Sequence, residues 1–199
     1  MSNGTFALLD QAELQQLALN ASANNDSASA IAYLKEAVSR ADATPGAHYL
    51  LGAEYAQIKM YERAIGEMEA AIALDPGLSV ARLQLGMLWL GANQPARAAE
   101  VLLPLDELGA ADPLNRFGAG LRHLVADDLA AALRCLGEGV ALNTVNPALN
   151  HDMQSIMRQI ELTRDGAAGA PPAADPAAEP APAEDSQHIL LSAYTGQRH

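Results

Sequence analysis

The side chains best suited to chemistry in this chain are its five histidines, its one cysteine and a pair of carboxylates. A metal site on a helix needs two imidazoles on one face, which a spacing of four residues provides. No two histidines stand at that spacing, so the sequence predicts structural or surface roles for them, with no metal site and no cofactor. The histidines are His48, His123, His151, His188 and His199.

Cys135 and the adjacent Asp127 and Asp128 are the remaining candidates for catalysis. Cys135 has no histidine near it in sequence to act as a base, and it stands beside Leu133 and Leu136, which favours a buried, inert thiol. The two aspartates precede a predicted helix, where carboxylates cap free amides. The chain also lacks a glycine-rich phosphate loop and a Gly-x-Ser-x-Gly elbow. The sequence therefore predicts that this protein is not an enzyme.

From residue 11 to about residue 146, the chain repeats with a period of 34 residues. Alanines recur at this interval, and a glycine stands 12 residues before each alanine from the second repeat onward. Small residues at a fixed phase indicate places where helix backbones approach closely. A unit of two antiparallel helices cannot bury its apolar face alone, so such units stack and share a core. The alanines are Ala30, Ala64, Ala98 and Ala132, and the glycines are Gly52, Gly86 and Gly120.

The residues around these positions resemble the tetratricopeptide repeat. The fourth unit is the weakest copy, because it has His123 where an aromatic residue is expected and Gly139 where an alanine is expected. The resemblance implies an all-α fold, an α-solenoid of antiparallel helix pairs of the tetratricopeptide type, with four repeats and a C-terminal capping helix. The second unit carries nearly the whole signature, which reads His48, Leu51, Gly52, Tyr55, Ala64, Met68, Ala71, Asp75 and Pro76.

This period also sets the expected domain boundaries. A short N-terminal extension precedes the repeats, and a segment of Gly, Ala, Pro and acidic residues follows them, which predicts a disordered linker. The extension is 1–10, the repeats are 11–44, 45–78, 79–112 and 113–146, the capping helix is 147–165, the linker is 166–187 and an apolar C-terminal segment is 188–199.

Helix-capping residues agree with these boundaries. Asp10 and Glu13 can form a capping box, and a cap followed by a first-turn proline occurs at Thr44, Asp112 and Asn146.

One residue departs from the repeat pattern. Pro104 falls within the second helix of the third repeat, where its missing N–H is expected to kink or shorten the helix.

The first helices of tetratricopeptide arrays line a concave groove, and the resemblance implies which positions face it. Those positions are apolar in the second to fourth repeats, and a contiguous apolar patch usually marks an interaction surface. The expected ligand is an apolar helix or an extended peptide. Two alternatives stay open, since packing could close part of the groove or the frame could be rotated by one position. The predicted groove residues are Tyr49, Leu83, Met87, Leu90, Phe117, Leu121 and Leu124.

An apolar run follows the linker near the C-terminus, and it forms a candidate docking segment. It could bind a foreign partner, the groove of its own chain or the groove of a second copy, or it could be an idle terminus. The residues expected to dock are Ile189, Leu190, Leu191 and Tyr194.

Three functions are compatible with these features. The first is a scaffold that holds a partner's apolar segment in the groove. The second is a chaperone for a secreted or assembled client, similar in architecture to the tetratricopeptide chaperones of type III secretion. The third is a self-assembling or autoregulated protein whose C-terminal segment fills the groove. A clamp for C-terminal carboxylates is excluded, because the groove positions lack the basic and amide donors that it needs.

Charge limits the partners further. The 199 residues carry a net charge of −12, and the 12 lysines and arginines are dispersed, so nucleic acid and anionic membranes are poor partners. No apolar run reaches the roughly 18–20 residues that a membrane-spanning helix needs. The expected partners are basic or neutral proteins, and the expected location is the cytoplasm.

Overall fold

A computed structural model describes residue 6 and residues 8–168, with side chains up to residue 164. This part of the chain forms nine α-helices and one short 3-10 helix, and it contains no strand. The α-helices are α1 Gln11–Ala23, α2 Ser27–Val38, α3 Pro45–Gln57, α4 Tyr61–Leu74, α5 Ser79–Gly91, α6 Pro95–Leu102, α7 Pro113–Val125, α8 Leu129–Leu142 and α9 Pro147–Ala168. The 3-10 helix, Leu103–Leu108, follows α6.

The chain divides into two compact units, the first ending at Leu88 and the second beginning at Trp89. In the first unit α1 packs against α2, α2 against α3 and α3 against α4. In the second unit α6 packs against α7, α7 against α8 and α8 against α9. Each unit therefore consists of sequential helices in contact with their neighbours along the chain, as the repeat pattern predicts.

The predicted capping residues are confirmed. Asp10 and Glu13 form a reciprocal capping box at the start of α1, and Thr44 accepts a hydrogen bond from the Ala47 N–H at the start of α3. The Asp112 side chain accepts from the Leu114 N–H at the start of α7, and the Asn146 side chain accepts from Leu149 N–H, 3.1 Å away, in the first turn of α9. These bonds fix where α1, α3, α7 and α9 begin.

The backbone repeats the 34-residue period at the turn between the two helices of each pair. One non-glycine residue per turn has a positive φ, between 55° and 64°, and successive ones are 34 residues apart. In each turn the following N–H bonds the carbonyl five residues earlier, as in Met60 N–H to Tyr55 O at 2.8 Å, which is the Schellman arrangement. The four residues are Asn25, Lys59, Asn93 and Asp127.

Lys59 is the least suitable residue of these four for the left-handed region. Asn and Asp tolerate that region, whereas a long side chain there costs about 1–2 kcal/mol. We expect Lys59→Asn to raise the free energy of unfolding by about 1 kcal/mol in urea denaturation. Lys59→Ala is the matched control, because it removes the charge but retains the strained Cβ. Equal stability of the two variants would contradict this explanation.

Two of the repeated glycines lie where the helices of a pair approach most closely. A Cβ added at Gly52 in α3 would lie 3.2 Å from the Ala64 carbonyl oxygen in α4. A Cβ added at Gly120 in α7 would lie 2.7 Å from Cγ and 3.1 Å from the backbone nitrogen of Leu136 in α8. The prediction that these small residues permit close helix contact is confirmed for both pairs.

Gly139, the exception in the fourth repeat, has a packing role. An added Cβ there would lie 2.5 Å from both Cδ1 and Cε1 of Phe117. Phe117 in α7 is fully buried, so its ring occupies the space that an alanine in α8 would fill. The missing alanine is therefore compensated by a larger side chain on the facing helix.

Pro104 ends the regular part of the third repeat's second helix. The α-helix α6 stops at Leu102 and the chain continues as the 3-10 helix that contains Pro104, as the sequence predicts. The buried Asn115 of α7 donates from Nδ2 to the carbonyls of Leu105, at 3.2 Å, and of Asp106, at 3.1 Å. The side chain of Asn115 thus holds the irregular turn against α7.

Helix α9 buries one face, as expected of a cap. Leu149, Met153, Ile156 and Ile160 are all buried. The helix continues to Ala168, three residues beyond the predicted end of the capping helix at residue 165. The remaining linker and the C-terminal segment lie outside the described residues.

Candidate functional site

In the first unit, the structure buries two of the three residues predicted to line a groove. Leu83 is 0% exposed and Met87 is 6% exposed, whereas Tyr49 in α3 is half-buried. Burial raises the pKa of the Tyr49 hydroxyl, because the charged form would lose hydration. A ligand can therefore reach Tyr49 without a change in packing, whereas Leu83 and Met87 are covered by other side chains.

The second unit shows the same outcome. Leu90 is buried, Phe117 and Leu121 are both 0% exposed, and Leu124 is half-buried. The structure corrects the expectation that all seven residues are open to a ligand. Five of the seven fill the core, because the helix positions assigned to the groove are also the positions whose side chains pack against neighbouring helices. This matches the alternative in which packing closes part of the groove.

An open cavity occurs elsewhere, between the first two helix pairs of the first unit. Its volume is about 130 Å³. Helix α1 contributes Ala18, Leu19 and Ser22, α2 contributes Leu34, and α3 contributes Leu50, Ala53, Glu54 and Gln57. Leu19 is 46% exposed and Gln57 is also exposed, so these two side chains mark the open side. The wall of the cavity is mostly aliphatic.

Glu54 is the one acidic residue of this lining, and it is 94% buried, with 6% exposure. Its Oε2 atom has no hydrogen-bond partner in the described part of the chain. A buried polar atom left without a partner costs about 1–3 kcal/mol, and more when the group is charged. Native structures rarely keep such an atom without a reason, so the buried Oε2 atom of Glu54 requires an explanation.

The cations of the first unit do not pair with Glu54. Arg40 pairs with Glu36 at 3.1 Å, Arg82 donates to the Pro76 carbonyl, and Arg63 lies 5.7 Å from the centre of the Tyr55 ring. Lys35 and Lys59 are exposed, and no ion pair within the described range includes Glu54. The carboxylate is therefore available to a cation from another molecule.

Sequence reasoning missed Glu54, although the period contains a signal for it. The residue 34 positions later is Leu88, which is 3% exposed. The same position of the repeat is therefore a buried leucine in the third unit and a carboxylate in the second. A carboxylate is unusual at a position that belongs to the core. The predicted groove also began at the second repeat, whereas the cavity uses α1 of the first.

Several of the residues first considered for chemistry contact or cap neighbouring elements, whereas His188 and His199 lie outside the described residues. His48 Nδ1 lies 2.7 Å from Glu67 Oε2, and His123 Nδ1 lies 3.6 Å from Asp128 Oδ2. The Asp128 side chain caps α8, whereas Asp127 occupies the left-handed turn. Cys135 is buried, as predicted. Within the described part of the chain, no three His, Cys, Asp or Glu side chains are grouped so that they could hold a metal ion.

None of the described helices is both long and apolar enough to cross a membrane. The candidate docking residues Ile189, Leu190, Leu191 and Tyr194 lie outside the described residues and remain a prediction.

No family model matches the sequence, and no curated protein matches it. Two solved structures of MamA, a tetratricopeptide-repeat protein, are similar to this chain. One is a double mutant, MamA RS-1 ArsTM, with a TM-score of 0.59 and 19% identity, covering 80% of this chain and 88% of that one. The other, MamA 41-end from Desulfovibrio magneticus RS-1, has a TM-score of 0.59 and 20% identity over the same shares. This likeness confirms that the chain has an all-α, tetratricopeptide-like fold of the solenoid class.

Proposed function

We propose that this protein is a non-enzymatic scaffold that binds a segment of a partner protein on the first-helix face of its first unit. The observation that carries this proposal is the cavity between α1 and α3, with the exposed Leu19 at its edge. Repeat folds of this class offer extended faces for protein recognition. A cavity of about 130 Å³ accepts one side chain, so the rest of the partner segment lies on the surrounding surface.

Two of the predicted groove residues are partly exposed, each in its own unit. Tyr49 in the first unit and Leu124 in the second are both half-buried, so a ligand can reach part of each side chain. The other five predicted residues, Leu83, Met87, Leu90, Phe117 and Leu121, support the helices from inside. An apolar helix or an extended apolar peptide remains the proposed ligand.

The other two hypotheses remain predictions. Self-assembly requires the segment around Ile189 and Tyr194, which lies outside the described residues. A chaperone function would use the same first-unit surface but would be identified by a client that loses solubility without this protein. The cytoplasmic location likewise remains a prediction.

Leu19→Glu tests the proposed surface. Leu19 is 46% exposed, so the substitution should change stability by no more than about 0.5 kcal/mol. We expect it to weaken binding of a purified partner at least tenfold in isothermal titration calorimetry, because it replaces apolar contact surface at the edge of the cavity by a charge that the partner's apolar side chains would have to desolvate. The partner is first obtained by capture on the full-length chain.

Leu74→Glu is the matched control, because Leu74 is 53% exposed at the end of α4 in the same unit and does not line the cavity. Full binding by a folded Leu19→Glu variant would overturn the proposed surface. Equal weakening by both variants would also overturn it, since the effect would then come from charge alone.

A further inference from the structure

The cavity of the first unit combines an aliphatic wall with a carboxylate. Ala18, Leu34, Leu50 and Ala53 supply apolar wall, and Glu54 supplies the charge. A lysine or arginine side chain has the complementary form, since its aliphatic stem covers apolar surface while its head carries a positive charge. A purely apolar side chain would leave the Glu54 Oε2 atom buried and without a partner.

Polar groups at the open side add acceptors for the same ligand. Ser22 and Gln57 both line the cavity, and a hydroxyl and an amide oxygen each accept hydrogen bonds. An ammonium group has three donors, so it can bond Glu54 and still satisfy its remaining N–H groups there. Rotation of the Glu54 carboxylate about its last torsion costs little, which lets either oxygen face the ligand.

Size and charge point to the same class of ligand. A cavity of roughly 150 Å³ holds a benzene-sized molecule, so about 130 Å³ accommodates one side chain and excludes a helix. Residues 1–88 contain ten acidic and five basic side chains, a net charge of −5. This field attracts cations to the first unit and disfavours anionic ligands.

We propose that the cavity around Glu54 binds the basic side chain of a partner segment, a lysine ammonium or an arginine guanidinium. This inference rests on the proposed function and specifies what the partner must contain. It makes the first unit selective for segments with a basic residue next to apolar ones. Glu54 acts as the recognition residue, and Leu19 covers the stem of the bound side chain.

The test uses small probes in place of the partner. Full-length protein is titrated with n-butylammonium, which reproduces the lysine head and stem, and in a second arm with n-propylguanidinium, which reproduces arginine. Methyl resonances of Leu19, Leu34, Leu50 and Ala53 report binding by NMR. We expect saturable shifts in the millimolar range with one or both cations, and the tighter of the two identifies the side chain. The neutral n-butanol should bind at least tenfold more weakly.

Variants assign the binding to the carboxylate. Glu54→Gln should weaken cation binding at least tenfold, because the amide keeps the shape and removes the charge. Glu69→Gln is the matched control, since it removes an exposed carboxylate from α4 in the same unit and should bind as the wild type does. Ala53→Leu fills the cavity from its wall without changing a charge and should abolish the methyl shifts.

Several outcomes overturn the inference. They are no saturable shift with either cation, equal binding by butanol, and unchanged binding by Glu54→Gln or Ala53→Leu. Two other outcomes distinguish failure of this inference from failure of the proposed scaffold function. A partner that is lost with Leu19→Glu but held equally by Glu54→Gln would refute the basic side chain and leave the surface intact. Cation binding by a protein with no partner at this face would refute the scaffold and leave the cavity assignment intact.

Discussion

Replacing Phe117 by alanine should lower the free energy of unfolding of the second unit by about 3–5 kcal/mol. Phe117 is fully buried between α7 and α8, and a deleted ring leaves a cavity that the helices fill only partly. This is a large part of the roughly 5–15 kcal/mol that stabilises a domain. Urea denaturation followed by far-UV circular dichroism measures the loss.

A double-mutant cycle with Gly139 identifies the cause. Gly139→Ala alone should cost about 1–3 kcal/mol, because its Cβ would lie 2.5 Å from the Phe117 ring. The two changes together should cost less than the sum of the single ones, since truncating the ring leaves room for the new methyl group. Additive losses would show that Phe117 and Gly139 do not compete for the same space.

Gly120→Ala should destabilise the second unit by about 1–3 kcal/mol, because α7 and α8 must move apart to admit the methyl group. The new Cβ would meet both the side chain of Leu136 and its backbone nitrogen, the latter at 3.1 Å. A rotamer change of Leu136 therefore cannot relieve the contact. Amide hydrogen exchange in α7 and α8 should accelerate by the factor that corresponds to this loss of free energy of unfolding.

The controls for Gly120→Ala are alanine substitutions at two other helical glycines, where an added Cβ meets no close atom. At Gly66 in α4 an added Cβ meets nothing within 4 Å, and at Gly137 in α8 it meets only Met157 Cε at 3.7 Å. Alanine at these positions should stabilise by about 0.5–1 kcal/mol, since a helical glycine loses more conformational freedom on folding. Destabilisation by Gly66→Ala would show that alanine substitution, and not the close contact, explains Gly120.

Much of the fold could be predicted from the sequence because its determinants are local or periodic. The caps at Thr44 and Asp112 depend on neighbouring residues, and the helix break at Pro104 depends on a missing N–H. The left-handed turns of Lys59 and its equivalents follow the same period, but no single residue type marks them in the sequence, because the four positions hold two asparagines, one lysine and one aspartate.

The proposed binding surface was harder to predict, because a helix position does not by itself decide between core and surface. Phe117 occupies a nominal groove position, yet it turns into the space left by Gly139, a contact across two helices. The cavity depends on three helices, and its carboxylate at Glu54 stands among apolar neighbours. The burial of Glu54 depends on contacts between helices that are distant in sequence. In the sequence it is indicated only by the residue one period later, which is Leu88.

Likeness to MamA, at 19% and 20% identity, supports the architecture and leaves the partner to be identified. The properties that single out a partner belong to this chain itself. They are the exposed Leu19, the buried carboxylate of Glu54 and the net charge of −5 over residues 1–88. Together they favour a protein segment that presents basic and apolar side chains in succession.

Site-specific photo-crosslinking tests whether the partner binds at the cavity edge marked by Leu19. A benzophenone amino acid replaces Leu19 in one full-length variant and Leu74 in another, and each variant is irradiated in the presence of the captured partner. A partner bound over the cavity should give a covalent adduct from position 19 and none from position 74. An adduct at position 74 alone, equal adducts at both positions, or none at position 19 while the unmodified protein still binds the partner, would contradict it.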